Sequence, residues 1–164
     1  MVSKDIIREL NENEFKEAVD VIRRSFLTVA EEFGFTEENA PRFTAFATDE
    51  DRLVFWKNEQ HRPMIGFFRD CKMVGFYCLY INGDECELGS LSVLPEYRHG
   101  KIGGRLLEDA CERAKSSGCD VMKLSIVEEN KVLRAWYEKY GFIHEGTEKF
   151  DFFPFTCGYM KKIL

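Results

Sequence analysis

Val93-Leu94-Pro95-Glu96-Tyr97-Arg98-His99-Gly100-Lys101-Ile102-Gly103-Gly104 reads as a strand end passing through a glycine-rich loop into a helix, and that reading decides the fold. Behind the loop, Ile102, Leu106, Ala110 and Ala114 share one helix face, Arg105, Asp109, Glu112 and Arg113 lie elsewhere, and Gly118 closes the helix. The first amides of such a helix have no partner within it and sit at the positive end of its dipole, so they form a place for an anion. Gly100, Gly103 and Gly104 let phosphate oxygens approach the main chain without meeting a Cβ atom, and Arg98, His99 and Lys101 add polar contacts. The simpler alternative is a loop whose glycines serve only the turn. The spacing lacks the leading glycine pair of a dinucleotide fingerprint and the Gly-Lys-Ser/Thr of a Walker A loop.

Upstream, the apolar residues of 85–94 fall on even positions at Cys86 and Leu88 but on odd positions at Leu91 and Val93. One inserted residue at Gly89-Ser90 produces that switch, so a bulge is expected there. Residues 63–69 and 72–82 read as a hairpin joined at Asp70-Cys71, and Asn82-Gly83-Asp84 turns into the next strand. A first strand over 5–10 precedes Asn11-Glu12-Asn13-Glu14, a capping-box start for a helix with Phe15, Ala18, Val19, Ile22, Phe26, Val29 and Phe33 on one face. Residues 34–48 show no clear period, and Thr48-Asp49-Glu50-Asp51 caps a second helix ending near 60.

Downstream come a strand at 121–127, a helix at 130–140 with Leu133, Trp136, Tyr137 and Tyr140 on one stripe, and strands at 142–149 and 155–162. The sum is an α/β (α+β) fold: a mixed, mostly antiparallel seven-stranded sheet with about four helices on both faces, in a single domain over 1–164.

A length of 164 residues with 45% hydrophobic and 32% charged side chains suits one soluble globular domain. The net charge of −6 argues against nucleic acid as a partner, because no basic stripe neutralises phosphates. No stretch reads as a signal peptide or membrane span, so a cytoplasmic location without membrane association is expected. The six cysteines form no Cys-x-x-Cys pair and have no histidines at ligand spacing, so they are expected to be free thiols, with no metal bound.

The loop resembles that of the GNAT N-acetyltransferases, Gln/Arg-x-x-Gly-x-Gly/Ala after a strand ending in Val-x-Pro. It matches from Val93-x-Pro95 through Arg98 to Gly103, with Lys101 where the family has its first loop glycine and Gly100 one place early. Asn130-x-x-Leu133-x-x-x-Tyr137-x-x-x-Gly141-Phe142 is similar to the family's second hallmark. The order of elements is similar along nearly the whole chain, which implies a sheet splayed at the bulge in its fourth strand.

The resemblance implies acetyl-CoA as cofactor and direct attack by a primary amine of a small molecule. It implies Tyr137 as general acid and Glu87 as candidate general base, acting directly or through water. Leu91, Ser92 and Val93 would line the cofactor arm, with the Leu91 amide polarising the thioester carbonyl. Arg98, His99, Gly100, Lys101, Ile102, Gly103 and Gly104 would hold the phosphates. Asn130 is either a contact to the arm or a plain helix cap, and Leu133 completes that wall. Homodimers are common in the family, so a homodimer is the expected assembly. The acceptor pocket is expected between residues 33–46 and 150–154, aromatic with an acidic rim. His61 and His144 are expected to be structural or exposed. The alternatives are a protein or peptide N-acetyltransferase, a non-catalytic acyl-CoA-binding module, or a protein binding another nucleotide.

Overall fold

The computed structural model describes residues 2–164. Its strands are β1 (Asp5–Glu9), β2 (Met64–Arg69), β3 (Lys72–Asn82), β4 (Glu85–Val93), β5 (Val121–Val127), β6 (Ile143–Lys149) and β7 (Thr156–Ile163). The helices are α1 (Phe15–Phe33), α2 (Thr44–Ala47), α3 (Glu50–Asn58), α4 (Ile102–Ser116) and α5 (Lys131–Lys139). The strands form one open sheet in the order β1-β2-β3-β4-β5-β7-β6, and only the β4–β5 pair is parallel. Five helices stand where about four were expected. The additional one, α2, has four residues, too few to leave a period in the sequence.

Local chemistry accounts for the element boundaries. The Glu14 carboxylate accepts the Asn11 N–H at 2.8 Å, and Asp49 Oδ1 accepts the Arg52 N–H at 2.8 Å, so both expected helix starts carry their cap. Asp70 (φ 49°) and Cys71 (φ 70°) both take left-handed backbone between β2 and β3. That is the geometry of a two-residue turn whose twist matches a hairpin.

Helix α1 serves two cores. Phe15, Ala18, Val21 and Ile22 are buried in the main core, which covers both faces of β2 and β3, with Leu79, Leu106, Met122 and Met160. Further along, Phe26, Val29, Ala30 and Phe33 pack in a second, aromatic core with Phe35, Phe43 and Phe155. The stripe read from the sequence is broader than expected: Val19 packs half-buried against the main core, and Val21, not read on the stripe, is fully buried there. Among the described residues no helix is long and apolar enough to cross a membrane, and all six cysteines are free thiols.

Asp5 ties the sheet edge to α4. Its carboxylate accepts from Arg69 at 2.8 and 3.0 Å and from Arg105 at 2.8 Å. The Arg69 hydrogen bond, helped by Arg105, lowers its pKa from 3.8 to about 2. A carboxylate whose folded pKa is depressed stabilises the protein above its unfolded value and loses that effect as pH falls through its folded value. Urea unfolding is therefore expected to show stability declining from pH 3.8 toward about 2, and Asp5→Asn is expected to flatten that part of the profile. An unchanged acid profile in the variant would contradict the assignment.

Candidate active site

β4 and β5 pair for only three residues, Glu85↔Val121, Cys86↔Met122 and Glu87↔Lys123. Beyond Glu87 they part, and β5 instead stays with β7 from Val121↔Ile163 to Val127↔Cys157. The cause lies in β4. Phe76 pairs with Ser92 and Cys78 with Gly89, so Ser90 and Leu91 face the single residue Tyr77. Ser90 takes the left-handed conformation (φ 51°), and the buried Ser92 hydroxyl donates across the bulge to the Ser90 carbonyl at 2.8 Å. The left-handed turn therefore falls at Ser90, one residue past the glycine, and the Ser92 side chain is committed to holding the bulge.

The loop after β4 presents the amides of residues 99–104, none of which bonds to a partner among the described residues; the next amide, of Arg105, donates to the Lys101 carbonyl at 3.1 Å. His99 (φ 67°) and Lys101 (φ 65°) are left-handed, and alternation of left- and right-handed residues turns successive amides toward one point, an anion-binding nest. The positive φ thus falls on His99 and Lys101 and not on Gly100. A Cβ at Gly103 would stand 3.4 Å from the Trp136 ring and 3.9 Å from Val93 Cγ2, so the helix start, the free edge of β4 and α5 meet there. Gly104 has a different task from the one expected. It is buried, and a side chain there would collide with the Tyr140 hydroxyl, so its missing Cβ serves helix packing.

Arg98 also departs from expectation. Its guanidinium turns back to α1, donating to Thr28 Oγ1 at 2.9 Å, the Ser25 carbonyl at 2.9 Å and Ser25 Oγ at 3.1 Å. It bridges α1 and the loop through neutral oxygens, and partial burial lowers its pKa. The Val93 N–H, expected to face the cofactor arm, donates to Ser25 Oγ at 3.3 Å.

On α5, Asn130 Oδ1 accepts the Leu133 N–H at 3.2 Å, so this side chain caps the helix. Leu133 is half-buried beside it. The Tyr137 ring is buried against Trp136 and Phe142. Burial raises the phenol pKa above its ordinary range, and no hydrogen bond contributes.

Residues alternate between the faces of the sheet, so Glu87 shares one side with Lys123, Ser125 and Tyr159, while Cys86, Met122, Leu124 and Met160 turn the other way into the core. Glu87 opens on a cavity of about 520 Å³ lined also by Lys123, Ser125, Glu145, Thr147 and Tyr159. Lys123 pairs with Glu85 at 3.3 Å, Lys161 with Glu145 at 3.0 Å, and the Tyr159 hydroxyl donates to Glu148 at 2.8 Å. Among the described residues Glu87 has no such partner.

The expected aromatic acceptor pocket is a packed cluster. Phe155 lies 4.8 Å from Phe35, 5.8 Å from Phe43 and 4.5 Å from Phe153, ring centre to ring centre. Phe152 remains 40% exposed beneath the Arg42 guanidinium. The cavity begins beside this cluster at Tyr159 and runs along β5, β6 and β7, whose polar face had given no motif in the sequence. His61 is exposed. His144 does have a constellation: its Nε2 lies 2.8 Å from Glu128 Oε2, and Arg134 approaches the other oxygen at 3.2 Å, fastening α5 to β6. Long sequence separation hid that group.

Comparison with known proteins agrees with this geometry. Residues 26–142 match the acetyltransferase (GNAT) family. A spermidine N(1)-acetyltransferase of Thermoplasma acidophilum is 38% identical over 88 residues, which are 54% of this chain and 55% of that protein, so the match spans about half the length of that relative. The crystal structure of the PaiA N-acetyltransferase from Thermoplasma acidophilum, in complex with coenzyme A, superposes with a TM-score of 0.84 and 26% identity, covering 98% of this chain and 99% of that one. The ribosomal-protein-S18-alanine N-acetyltransferase of Escherichia coli shares the fold, with a TM-score of 0.78 and 18% identity over 98% of this chain and 94% of its own. The match over residues 26–142, on the splayed sheet and amide-lined loop already described, makes this chain a member of the GNAT acetyltransferase family.

Proposed function

We propose that this chain transfers the acetyl group of acetyl-CoA to a primary amine of a small cationic molecule. The observation that carries the reading is the gap between β4 and β5 ending at the unbonded amides of residues 99–104. The donors fit a diphosphate with an extended arm: the nest takes the charge, and the free strand edge offers main-chain groups to amides, as one strand does to another. When bound, acetyl-CoA supplies an acyl group activated on sulfur.

Each remaining step falls to a residue of this chain. Glu87, unpaired at the cavity, accepts the proton of the acceptor ammonium directly or through water and leaves a neutral nucleophile. The Leu91 amide, at the bulge, donates to the thioester carbonyl oxygen as negative charge builds there. Tyr137 donates its proton to the departing sulfur as the new C–N bond replaces C–S, and the proton released by the acylated nitrogen restores the phenol through solvent. Its raised pKa keeps that proton available, while an ordinary thiol lies near 8.5. One unpaired carboxylate in a cavity whose lining lysine, Lys123, is already matched to Glu85 and whose Glu145 is matched to Lys161 favours a cationic acceptor. The partial match to a spermidine acetyltransferase makes polyamines the first class to test.

Thiol release with acetyl-CoA and a panel of polyamines, aromatic amines, amino acids and peptides tests the proposal; turnover of peptides alone, or of nothing, would overturn it. Tyr137→Phe is expected to lower kcat about a hundredfold while leaving CoA affinity unchanged. Because the phenol is raised, wild-type kcat is expected to hold to about pH 9, and a decline beginning below neutrality and removed by Tyr137→Phe would contradict the role. Glu87→Gln is expected to lower kcat by a similar factor, and unaltered turnover would remove it from the mechanism. Gly103→Leu crowds Trp136 and the cradle, and is expected to weaken CoA binding about tenfold or more by calorimetry.

A further inference from the structure

Ser25 is a polar residue in the buried face of α1, only 7% exposed, and its hydroxyl stands where the helix, the free edge of β4 and the phosphate loop converge. It receives two N–H groups, from Val93 at 3.3 Å and from Arg98 Nη2 at 3.1 Å. A serine hydroxyl has two lone pairs and one proton. With both lone pairs engaged, the O–H is fixed as a donor along the one direction left. Serines within helices commonly return this proton to a carbonyl one turn back. Thr28 does so here, donating to the Ser25 carbonyl at 2.8 Å, but among the described residues Ser25 makes no such bond.

We infer that Ser25 is a further cofactor-binding residue, whose hydroxyl donates to an amide carbonyl of the pantetheine arm of CoA. The inference rests on the CoA reading above. The arm carries two amide carbonyls, and the Ser25 hydroxyl adjoins Val93, past the point where β5 leaves β4. The diphosphate belongs at residues 99–104, on the far side of Arg98, so the carbonyl within reach of Ser25 is that of the arm. Main-chain edges pair with amides of any extended chain, whereas a hydroxyl constrained to donate selects a carbonyl at one position. Ser25 also precedes Phe26, Val29 and Phe33, which carry the aromatic cluster beside the acceptor cavity. Cofactor and acceptor sites thus share one helix.

Calorimetric titrations of wild type, Ser25→Ala and Ser25→Thr with CoA and with 3′-phosphoadenosine 5′-diphosphate, which has the phosphates but no arm, test this. Ser25→Ala is expected to weaken CoA about five- to tenfold while leaving the nucleotide within about twofold of wild type. Ser25→Thr keeps the hydroxyl and is expected to bind CoA like wild type. Equal weakening of both ligands would mean that Ser25 acts only through Arg98 and the loop, and that result, or unchanged CoA affinity in Ser25→Ala, overturns the inference. Should the alanine variant not fold, a crystal structure of the wild type with CoA decides: an arm carbonyl about 3 Å from Ser25 Oγ supports the contact, and none within about 4 Å overturns it. A wild type that binds the nucleotide but gains nothing from the arm also overturns it, whereas one that binds neither overturns the CoA reading itself.

Discussion

Everything in this molecule that bears on chemistry depends on β4 parting from β5. Parallel strands gain by staying paired, yet this pair lasts three residues, because Ser90 turns left-handed and twists β4 away while β7 holds β5 along its length. The parting exposes strand edges inside the protein, where main-chain donors and acceptors need partners. An extended molecule with amides of its own meets that need, and the same twist delivers β4 to a loop whose amides suit the charged end of that molecule.

The charged end is prepared without a matched pair of ions. The chain has a net charge of −6, yet Arg98 is fixed by neutral oxygens of Ser25 and Thr28 and keeps its charge uncompensated beside the loop. Its neighbour Glu96 is already held by Arg24, through two hydrogen bonds of 3.0 and 2.7 Å. On the other side of the gap the signs reverse: lysines are matched to glutamates, and Glu87 is left over. An anionic cofactor and the cationic acceptor proposed above would therefore meet different local fields on one acidic protein.

The sequence disclosed most of this frame because its signals are local. The parity switch from Leu88 to Leu91 located the bulge to within a residue, and Asn11 and Asp49 marked helix starts that the structure carries. What stayed hidden depends on contacts between distant residues. That the missing Cβ of Gly104 makes room for Tyr140, and that the Arg98 guanidinium is anchored on α1, emerge only once the helices are placed. The phenylalanines of 33–46 and 150–155 suggested a pocket wall. Composition does not distinguish rings that line a cavity from rings that fill it, and here they stack on one another. The cavity at β5–β7 is made of scattered polar residues of alternating strands, a pattern shared by any solvated sheet face.

Amide hydrogen exchange, read residue by residue with and without CoA, tests the central claim most directly. The amides of 99–104 have no partner among the described residues and are expected to exchange fast when free. CoA is expected to slow them together with the amides of β4 beyond the bulge, and to leave the β2–β3 hairpin unchanged. Slowing confined to some other part of the chain, with residues 99–104 still exchanging freely, would contradict it.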